Sequence, residues 1–193
     1  MVKMQSKLSV TIPQERVAIL IGEDGEVRQR IEKDFKVTLN IDSETGIVQI
    51  TPLPQENDAV SLLKARDIVT AIGRGFSPHR AFALRDDDMI LDVIDLRELF
   101  GKNESDIDRI KGRLIGRQGK ARMMLEELTR TNVSIYGHTI STIGDYESSS
   151  LSREAIMMLI EGKQHATVYR FLRKRRHEEK IKKITELWEP PQR

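Results

Sequence analysis

The 193 residues carry a formal net charge of +2, with 38% hydrophobic and 32% charged side chains, a composition typical of a folded globular protein and not of a disordered one. Because the chain contains no cysteine and no apolar run near ~18 residues, we expect no disulfide, no thiolate metal site and no membrane span. The basic N-terminus lacks the apolar segment of a signal peptide, which favours a cytoplasmic location. Charge is unevenly divided, however. Residues 1–110 hold 15 basic and 20 acidic side chains and residues 111–193 hold 17 and 10, which favours a polyanionic partner for the C-terminal half.

Apolar spacing in residues 1–80 predicts a first domain with the element order β-α-α-β-β-α. Strands are indicated by apolar residues at every second position, and helices by apolar residues three and four positions apart. Asn57 or Asp58 is the predicted N-cap of the last helix, whose buried stripe ends at Ile72. The predicted elements are, in order, residues 8–12, 15–21, 27–35, 37–41, 47–50 and 58–72.

The loop between the first two helices, Gly22-Glu23-Asp24-Gly25, has the form Gly-x-x-Gly but is acidic. Two carboxylates at this point would repel a backbone phosphate by several kcal/mol, on the order expected for close charges taken out of water. We therefore expect this loop to bind phosphate poorly and to act as a tight helix–helix turn. The first domain would then dock on the second domain or on another protein.

A second domain is predicted over residues 81–193, after a change of composition near Gly73–Pro78. Residues 79–84 suit a short helix and residues 89–96 a buried strand. The run Asp86–Asp88 raises the possibility of a two-metal nuclease site. No further carboxylate or histidine at helical or strand spacing completes such a site, so we expect neither a metal nor another cofactor.

The element order of the first domain repeats in the second. Ser105 or Asp106 is the predicted cap of a helix that ends at Ile115, a second helix covers residues 121–128, and strands follow at 132–137 and 138–144. A polar connection over residues 146–150 then leads to a last helix capped by Ser152. The two Gly-x-x-Gly loops begin 94 positions apart, and this internal repeat indicates two copies of one α+β unit.

The second loop, Gly116–Gly119, is basic where the first is acidic. Glycines allow a phosphate to approach the main chain closely, and the N-terminus of the following helix directs free N–H groups at the same place. Arg117, Lys120 and Arg122 add positive charge. A basic loop of this form between two helices resembles the loop with which RNA-binding KH domains hold a nucleic-acid backbone.

The second domain is therefore expected to hold about four single-stranded nucleotides between this loop, its helix and an edge strand. Bases would rest on an apolar floor that includes Leu125, and a basic cluster in the last helix would add phosphate contacts. Trp188, farther along the chain, is expected to pack on the protein or on a partner. The predicted RNA-binding residues are Ile115, Gly116, Arg117, Gln118, Gly119, Lys120, Arg122, Val133, Ile135, Arg173, Arg175 and Arg176.

Other functional motifs do not fit the spacing. A nucleotide-binding P-loop that ended at Lys120 would need glycine at position 114 and serine or threonine at 121, where the chain has Leu114 and Ala121. With 5% aromatic residues and no aromatic strand motif, an RRM fold is not expected. No catalytic pair is visible, so we expect no enzyme. A protein-docking scaffold and an RNA-binding subunit of another machine, such as an exosome cap, remain open alternatives.

Three stretches resemble the tandem KH-domain processing factors of small-subunit ribosome assembly, namely residues 91–96, 113–122 and 141–172. This resemblance implies two type I KH domains, each with a three-stranded antiparallel sheet backed by three helices. It implies a second domain that binds rRNA near its 3′ end, a degenerate first loop and a non-enzymatic assembly role. The short chain looks like the archaeal form.

The same resemblance implies the partners. In eukaryotes the factor accompanies the endonuclease that matures the 3′ end of the small-subunit rRNA, so a pre-rRNA endonuclease or another ribosome or translation factor is expected here. Coverage of that 3′ end would also mask the bases that pair with messenger RNA. A role in the control of translation initiation is therefore an alternative reading.

Overall fold

The computed structural model describes residues 7–54 and 59–187. Two copies of the predicted β-α-α-β-β-α order are present, which confirms the repeat. The predicted caps Asn57 and Asp58 and the predicted contact of Trp188 lie outside the described residues. The first unit consists of β1 (Leu8–Thr11), α1 (Gln14–Ile21), α2 (Glu26–Phe35), β2 (Val37–Ile41), β3 (Ile47–Pro52) and α3 (Ala59–Gly73).

The second unit follows a short connecting segment. That segment holds α4 (Pro78–Ala81) and a 3₁₀ turn at Phe82–Arg85, where a short helix was predicted. The second unit then consists of β4 (Met89–Asp95), α5 (Leu96–Phe100), α6 (Glu104–Ile115), α7 (Lys120–Thr129), β5 (Asn132–Tyr136), β6 (Thr139–Asp145), α8 (Tyr146–Ile160) and α9 (His165–Leu187).

Each unit contains a three-stranded antiparallel sheet, in the order β1-β3-β2 in the first and β4-β6-β5 in the second. In each unit, the strand that comes last along the chain therefore lies in the centre of the sheet. Leu39 pairs with Ile50 in the first sheet, and Ile135 pairs with Ile140 in the second. Together with the helices on one face, these sheets confirm the predicted α+β fold class of two type I KH units.

Apolar stripes of the helices build one core on each sheet. In the first unit Leu20 of α1, Ile31 of α2 and Ile72 of α3 are fully buried, as the helical spacing predicts. In the second unit Leu114 of α6 and Leu125 of α7 occupy the same places. Full burial of a side chain of this size stabilises the fold by about 1.5–3 kcal/mol, so these positions fix the two helices that flank each Gly-x-x-Gly loop.

Two helix starts differ from the prediction, and one helix was not predicted. The cap of α6 is Asn103, whose side-chain oxygen accepts a hydrogen bond from the Asp106 N–H at 3.3 Å, so the choice of Ser105 or Asp106 was wrong. The prediction of a polar connection before Ser152 was also wrong, because α8 begins at Tyr146 under an Asp145 cap. Helix α5 was not predicted, because its five residues are too few to show a helical spacing of apolar side chains.

The two units pack directly against each other. The central strand β6 is buried on both faces, and Ile143 of this strand belongs to the core of the first unit. The Ser134 hydroxyl donates a hydrogen bond to the Arg74 carbonyl at 2.8 Å, and the Tyr136 hydroxyl donates one to Glu15. Residues 81–84 also join the first core. The domain boundary between residues 80 and 81 stays a prediction.

Candidate nucleic-acid interface

The Gly116–Gly119 loop has a backbone that only glycine adopts easily at its first position. Gly116 has φ 68° and ψ 178°, and an added Cβ would lie 2.7 Å from the Ala121 Cβ and 3.0 Å from the Ala121 nitrogen. Gly116 thus lets the start of α7 pack closely against the end of α6. Gly119 has φ 74°, but the space around it is open, because no described residue other than its chain neighbours has an atom within 4 Å of an added Cβ. The second glycine is therefore the point where a ligand can approach the main chain.

Helix α7 begins directly after this open glycine and has no side-chain cap. The Lys120 N–H donates to the Arg117 carbonyl, and the helix dipole favours an anion at the N–H groups that follow it. Arg117 and Lys120 are exposed and Arg122 is half-buried. Across residues 7–54 and 59–187, no ion pair or side-chain hydrogen bond is found for these three side chains. The structure thus brings six sequence-predicted residues together at one cationic surface, namely Gly116, Arg117, Gln118, Gly119, Lys120 and Arg122.

The first loop has the same backbone and the opposite charge. Gly22 matches Gly116, Asp24 matches Gln118 and Gly25 matches Gly119, with corresponding φ and ψ angles that differ by no more than 10°. The side chains at the three charge-bearing positions are Glu23, Asp24 and Glu26 in place of Arg117, Gln118 and Lys120. The chain therefore contains a basic and an acidic version of one loop geometry.

The apolar floor differs from the expectation in part. Ile115 is 37% exposed beside the loop and Ile135 is half-buried on β5, so both are reachable. Leu125 is fully buried and Val133 is 1% exposed, so no base can reach either side chain in this structure. The Val133 N–H donates to a carboxylate oxygen of Glu126 at 2.9 Å. Val133 is thus a residue of the edge strand β5 whose side chain points into the core.

The free edge of β5 offers main-chain groups at Ile135. Because the Val133 N–H points to Glu126 and not to β6, Val133 faces Thr142 as a non-hydrogen-bonded pair. Hydrogen-bonded and non-hydrogen-bonded pairs alternate along an antiparallel ladder, so Ile135, two residues after Val133, is again non-hydrogen-bonded. Its N–H and C=O therefore point away from β6 to the same free edge. These two groups are suited to hydrogen bonds with the edges of bases.

The predicted basic cluster of α9 lies away from the loop. Arg175 forms an ion pair with Glu154 of α8 at 3.9 Å, and Arg176 lines one cavity together with Arg130, the residue just past the C-terminal end of α7. The ten residues of α7 separate that end from the loop by about 15 Å. Arg173 is exposed on the same stretch of α9. The structure therefore does not bring Arg173, Arg175 and Arg176 together with Gly116–Gly119.

Two features near the site were missed by sequence reasoning. The turn before α9 packs on the end of α6, where Arg113 donates to the Lys163 carbonyl and a ring nitrogen of His165 lies 3.0 Å from the Arg113 carbonyl. This places Lys163 close to the loop. The second feature is an ion pair between Arg80 and Glu126, with 2.7 Å between Nη1 and Oε1. Neither contact leaves a local pattern in the sequence.

Other candidate sites find ordinary partners. Within the run Asp86–Asp88, Asp87 forms an ion pair with Lys64 of α3. In the part of the chain that the structure describes, no group of three or more histidine and acidic side chains is arranged to hold a metal ion. None of the helices over those residues is both long and apolar enough to cross a lipid bilayer.

Comparison with known proteins identifies both units. Residues 7–65 match the KH domain family and residues 90–177 match the eukaryotic-type KH domain of type I. A KH domain-containing protein of Methanocaldococcus jannaschii is 44% identical over 92% of this chain and 77% of its own length. The structure of Dim2p from Pyrococcus horikoshii is 42% identical, with a TM-score of 0.80 over 88% of this chain and 99% of that one. The chain belongs to the tandem KH-domain family of PNO1 and Dim2.

Eukaryotic members of the PNO1 and Dim2 family carry names that refer to RNA. The RNA-binding protein pno1 of Dictyostelium discoideum is 29% identical over 85% of this chain and 69% of its own length. The pre-rRNA-processing protein PNO1 of Candida albicans is 27% identical over 89% of this chain and 62% of its own length. A Pyrococcus horikoshii structure of a complex of a/eIF2alpha, aDim2p and rRNA contains a chain that is 40% identical, with a TM-score of 0.85 over 92% of this chain and 97% of that one. The predicted family is confirmed.

Proposed function

We propose that the second KH unit binds single-stranded small-subunit rRNA near its 3′ end, and that the protein assists maturation of that end without catalysing it. The observation that carries this proposal is the cationic loop Gly116–Gly119, whose charges have no protein partner among the described residues, on a backbone that the first unit repeats with carboxylates. The rRNA complex of the archaeal relative and the pre-rRNA-processing name of the eukaryotic ones support it.

In this proposal the backbone of the RNA lies against the loop. The N–H groups at the start of α7 and the side chains of Arg117, Lys120 and Arg122 take phosphates, since charge-assisted hydrogen bonds of this kind are about twice as strong as neutral ones. The open space at Gly119 allows a phosphate to reach the main chain. Gln118 adds an amide that can both donate and accept.

Bases then extend from the loop toward β5. The side chains of Ile115 and Ile135 supply the reachable apolar surface, and the free-edge N–H and C=O of Ile135 read Watson–Crick edges. Val133 contributes indirectly, because its buried side chain holds β5 on the core. The basic residues of α9, namely Arg173, Arg175 and Arg176, would contact only RNA that continues about 15 Å beyond the loop, along the length of α7.

The partners and location follow from the same proposal. A factor that covers the rRNA 3′ end would meet the endonuclease that matures this end, or a translation factor, in the cytoplasm. The presence of a/eIF2alpha and aDim2p in one complex with rRNA supports the second partner class. Because the same rRNA bases pair with messenger RNA, their coverage would delay initiation until maturation is complete.

The proposal is tested by removing two cations from the first turn of α7, directly after the loop. Each phosphate contact to a single strand releases about 0.7 counterion, so Lys120→Ala/Arg122→Ala should lower the slope of log affinity against log salt by about 1.4. The same relation gives a loss of roughly tenfold in affinity near 0.15 M salt. The measurement is equilibrium binding of a fluorescent RNA with the 3′-terminal sequence of small-subunit rRNA over a salt series.

The matched control removes two cations from the helix that follows the acidic loop. Arg28→Ala/Lys33→Ala changes the net charge equally but leaves the second unit untouched. Loss of affinity with this control, or unchanged binding by the loop variant, would contradict the proposal. An unrelated RNA strand of equal length separates the alternatives, because a general RNA-binding subunit would hold both strands with equal affinity.

A further inference from the structure

The two KH units contain equivalent glutamates that do the same structural work. Glu32 of α2 and Glu126 of α7 are 94 positions apart, the same offset as the two loops. In each unit the carboxylate oxygen accepts a main-chain hydrogen bond from the neighbouring edge strand, from Leu39 at 2.8 Å and from Val133 at 2.9 Å. Both glutamates therefore tie the second helix of the unit to its edge strand.

The second partner of each glutamate is different. Glu32 pairs with Arg28, one turn earlier in the same helix, with 3.2 Å between Oε1 and Nε. The residue equivalent to Arg28 in the second unit is Arg122, which also stands four positions before its glutamate. Glu126 pairs instead with Arg80, which comes from α4 in the connecting segment. Arg122 is thus left without the partner that its counterpart has.

The connecting segment is held firmly enough to present Arg80. The Ser77 hydroxyl accepts a hydrogen bond from the Arg80 N–H at 3.4 Å and so caps α4. Just before it, the Arg74 carbonyl accepts the Ser134 hydroxyl of β5, and Gly75 lies so close to Tyr136 that an added Cβ would be 2.7 Å from the Tyr136 Cβ. These contacts fix the segment on the outer face of the second sheet.

We propose that Arg80 is a positioning residue for the RNA site, which holds Glu126 and thereby leaves Arg122 free to bind a phosphate. The Glu126 side chain is only 16% exposed, and its Oε1 already accepts two donors, at 2.7 and 2.9 Å. Without Arg80, a half-buried carboxylate would lack a cation, and Arg122 would fold back on it as Arg28 does on Glu32. The inference rests on the proposed function and assigns the connecting segment a part in it without RNA contact.

The test combines Arg80→Ala with a variant that removes the competing charge. Arg80→Ala should raise the Kd for the single-stranded rRNA fragment about fourfold near 0.15 M salt and lower the salt slope by about 0.7, the loss of one phosphate contact. In Arg80→Ala/Glu126→Gln the amide oxygen still accepts the Val133 N–H but no longer attracts Arg122 as an ion. We therefore expect the double variant to recover the wild-type Kd and slope.

Two further variants define the outcomes. Arg85→Ala is the matched control, because Arg85 follows in the same segment and pairs with Asp34 of the first unit at 3.4 Å, and it should leave the Kd unchanged. Arg122→Ala should match Arg80→Ala in both Kd and slope. If Arg122→Ala weakens binding while Arg80→Ala does not, or if the Glu126→Gln change fails to rescue, the positioning role is overturned. If Arg122→Ala itself binds normally, the proposed RNA site is wrong.

Discussion

The two glycines of the basic loop should respond differently to alanine, although both have positive φ. Gly116 has φ 68° with ψ 178°, a combination found almost solely in glycine, and its added Cβ would overlap the Cβ and main-chain nitrogen of Ala121. Neither of those atoms can move away easily, because Ala121 is a buried residue in the first turn of the helix that packs on the core. Gly119 has φ 74° with ψ 7°, the left-handed helical region, and its Cβ would point into open space.

These geometries set the expected free energies of unfolding. Gly119→Ala should lower the free energy of unfolding by about 1 kcal/mol. The cost of placing alanine in the left-handed region is partly offset, because alanine reduces the conformational entropy of the unfolded chain. Gly116→Ala combines about 1–3 kcal/mol of backbone strain with about 1–3 kcal/mol of overpacking, so about 3 kcal/mol or more is expected. For a chain of this size each kcal/mol shifts Tm by roughly 2–4 °C, which predicts a drop of about 3 °C for Gly119→Ala and about 10 °C for Gly116→Ala.

Urea unfolding and RNA binding on the same samples test this difference. Gly119→Ala should fold well and yet lose RNA affinity, because its methyl group stands where a phosphate approaches. The acidic loop supplies the control: Gly22→Ala, whose Cβ would lie 2.6 Å from the Val27 Cγ2, should be far less stable than Gly25→Ala, and Gly25→Ala should bind RNA normally. Equal unfolding midpoints for Gly116→Ala and Gly119→Ala, or full RNA affinity in Gly119→Ala, would refute the reasoning.

Two further outcomes are expected. Grafting the basic side chains onto the first loop (Glu23→Arg, Asp24→Gln, Glu26→Lys) should raise the number of RNA strands bound per chain from one to two in a titration, because the backbone is already in place; an unchanged stoichiometry would show that charge is not the deciding difference. Burial, and to a lesser extent the hydrogen bond to Glu15, raises the pKa of the Tyr136 hydroxyl to about 12. The folded state therefore favours the neutral form of this hydroxyl. The stability advantage of wild type over Tyr136→Phe, measured by urea unfolding, should be complete below pH 10 and lost as pH rises toward 12; a constant difference would contradict this.

Much of the fold could be predicted because its signals are local. Alternation at Val37–Ile41 and helical spacing at Val27, Ile31 and Phe35 depend only on neighbours in sequence, so strands and helices were recovered in order. The start of α8 was not, since the serine-rich run after Tyr146 is typical of a loop. There the Asp145 carboxylate accepts the Ser148 N–H at 2.8 Å, and small buried residues let the helix pack closely on β6. Tertiary packing thus overrode local propensity.

The site could be predicted only as far as its loop. Glycines and basic residues adjacent in sequence mark Gly116–Arg122, and the acidic twin was equally visible. The partner of Glu126 was not, because Arg80 lies 46 positions away in a segment that sequence assigns to the boundary between domains. Likewise, the alternation of β5 predicts a solvated face at Ser134 and Tyr136, whereas the first unit covers it. Contacts between the repeated units leave no periodic signal in one sequence.

The most direct test of RNA binding by the second loop is a residue-by-residue NMR titration of the full chain with a single-stranded fragment of the rRNA 3′ end. We expect amide signals of residues 115–122 and of Ile135 to shift progressively to saturation, while those of residues 22–28 stay unchanged. If the acidic loop shifts as strongly as the basic one, or if residues 115–122 stay silent while RNA binds, the RNA lies elsewhere and the charge contrast between the two loops does not direct it.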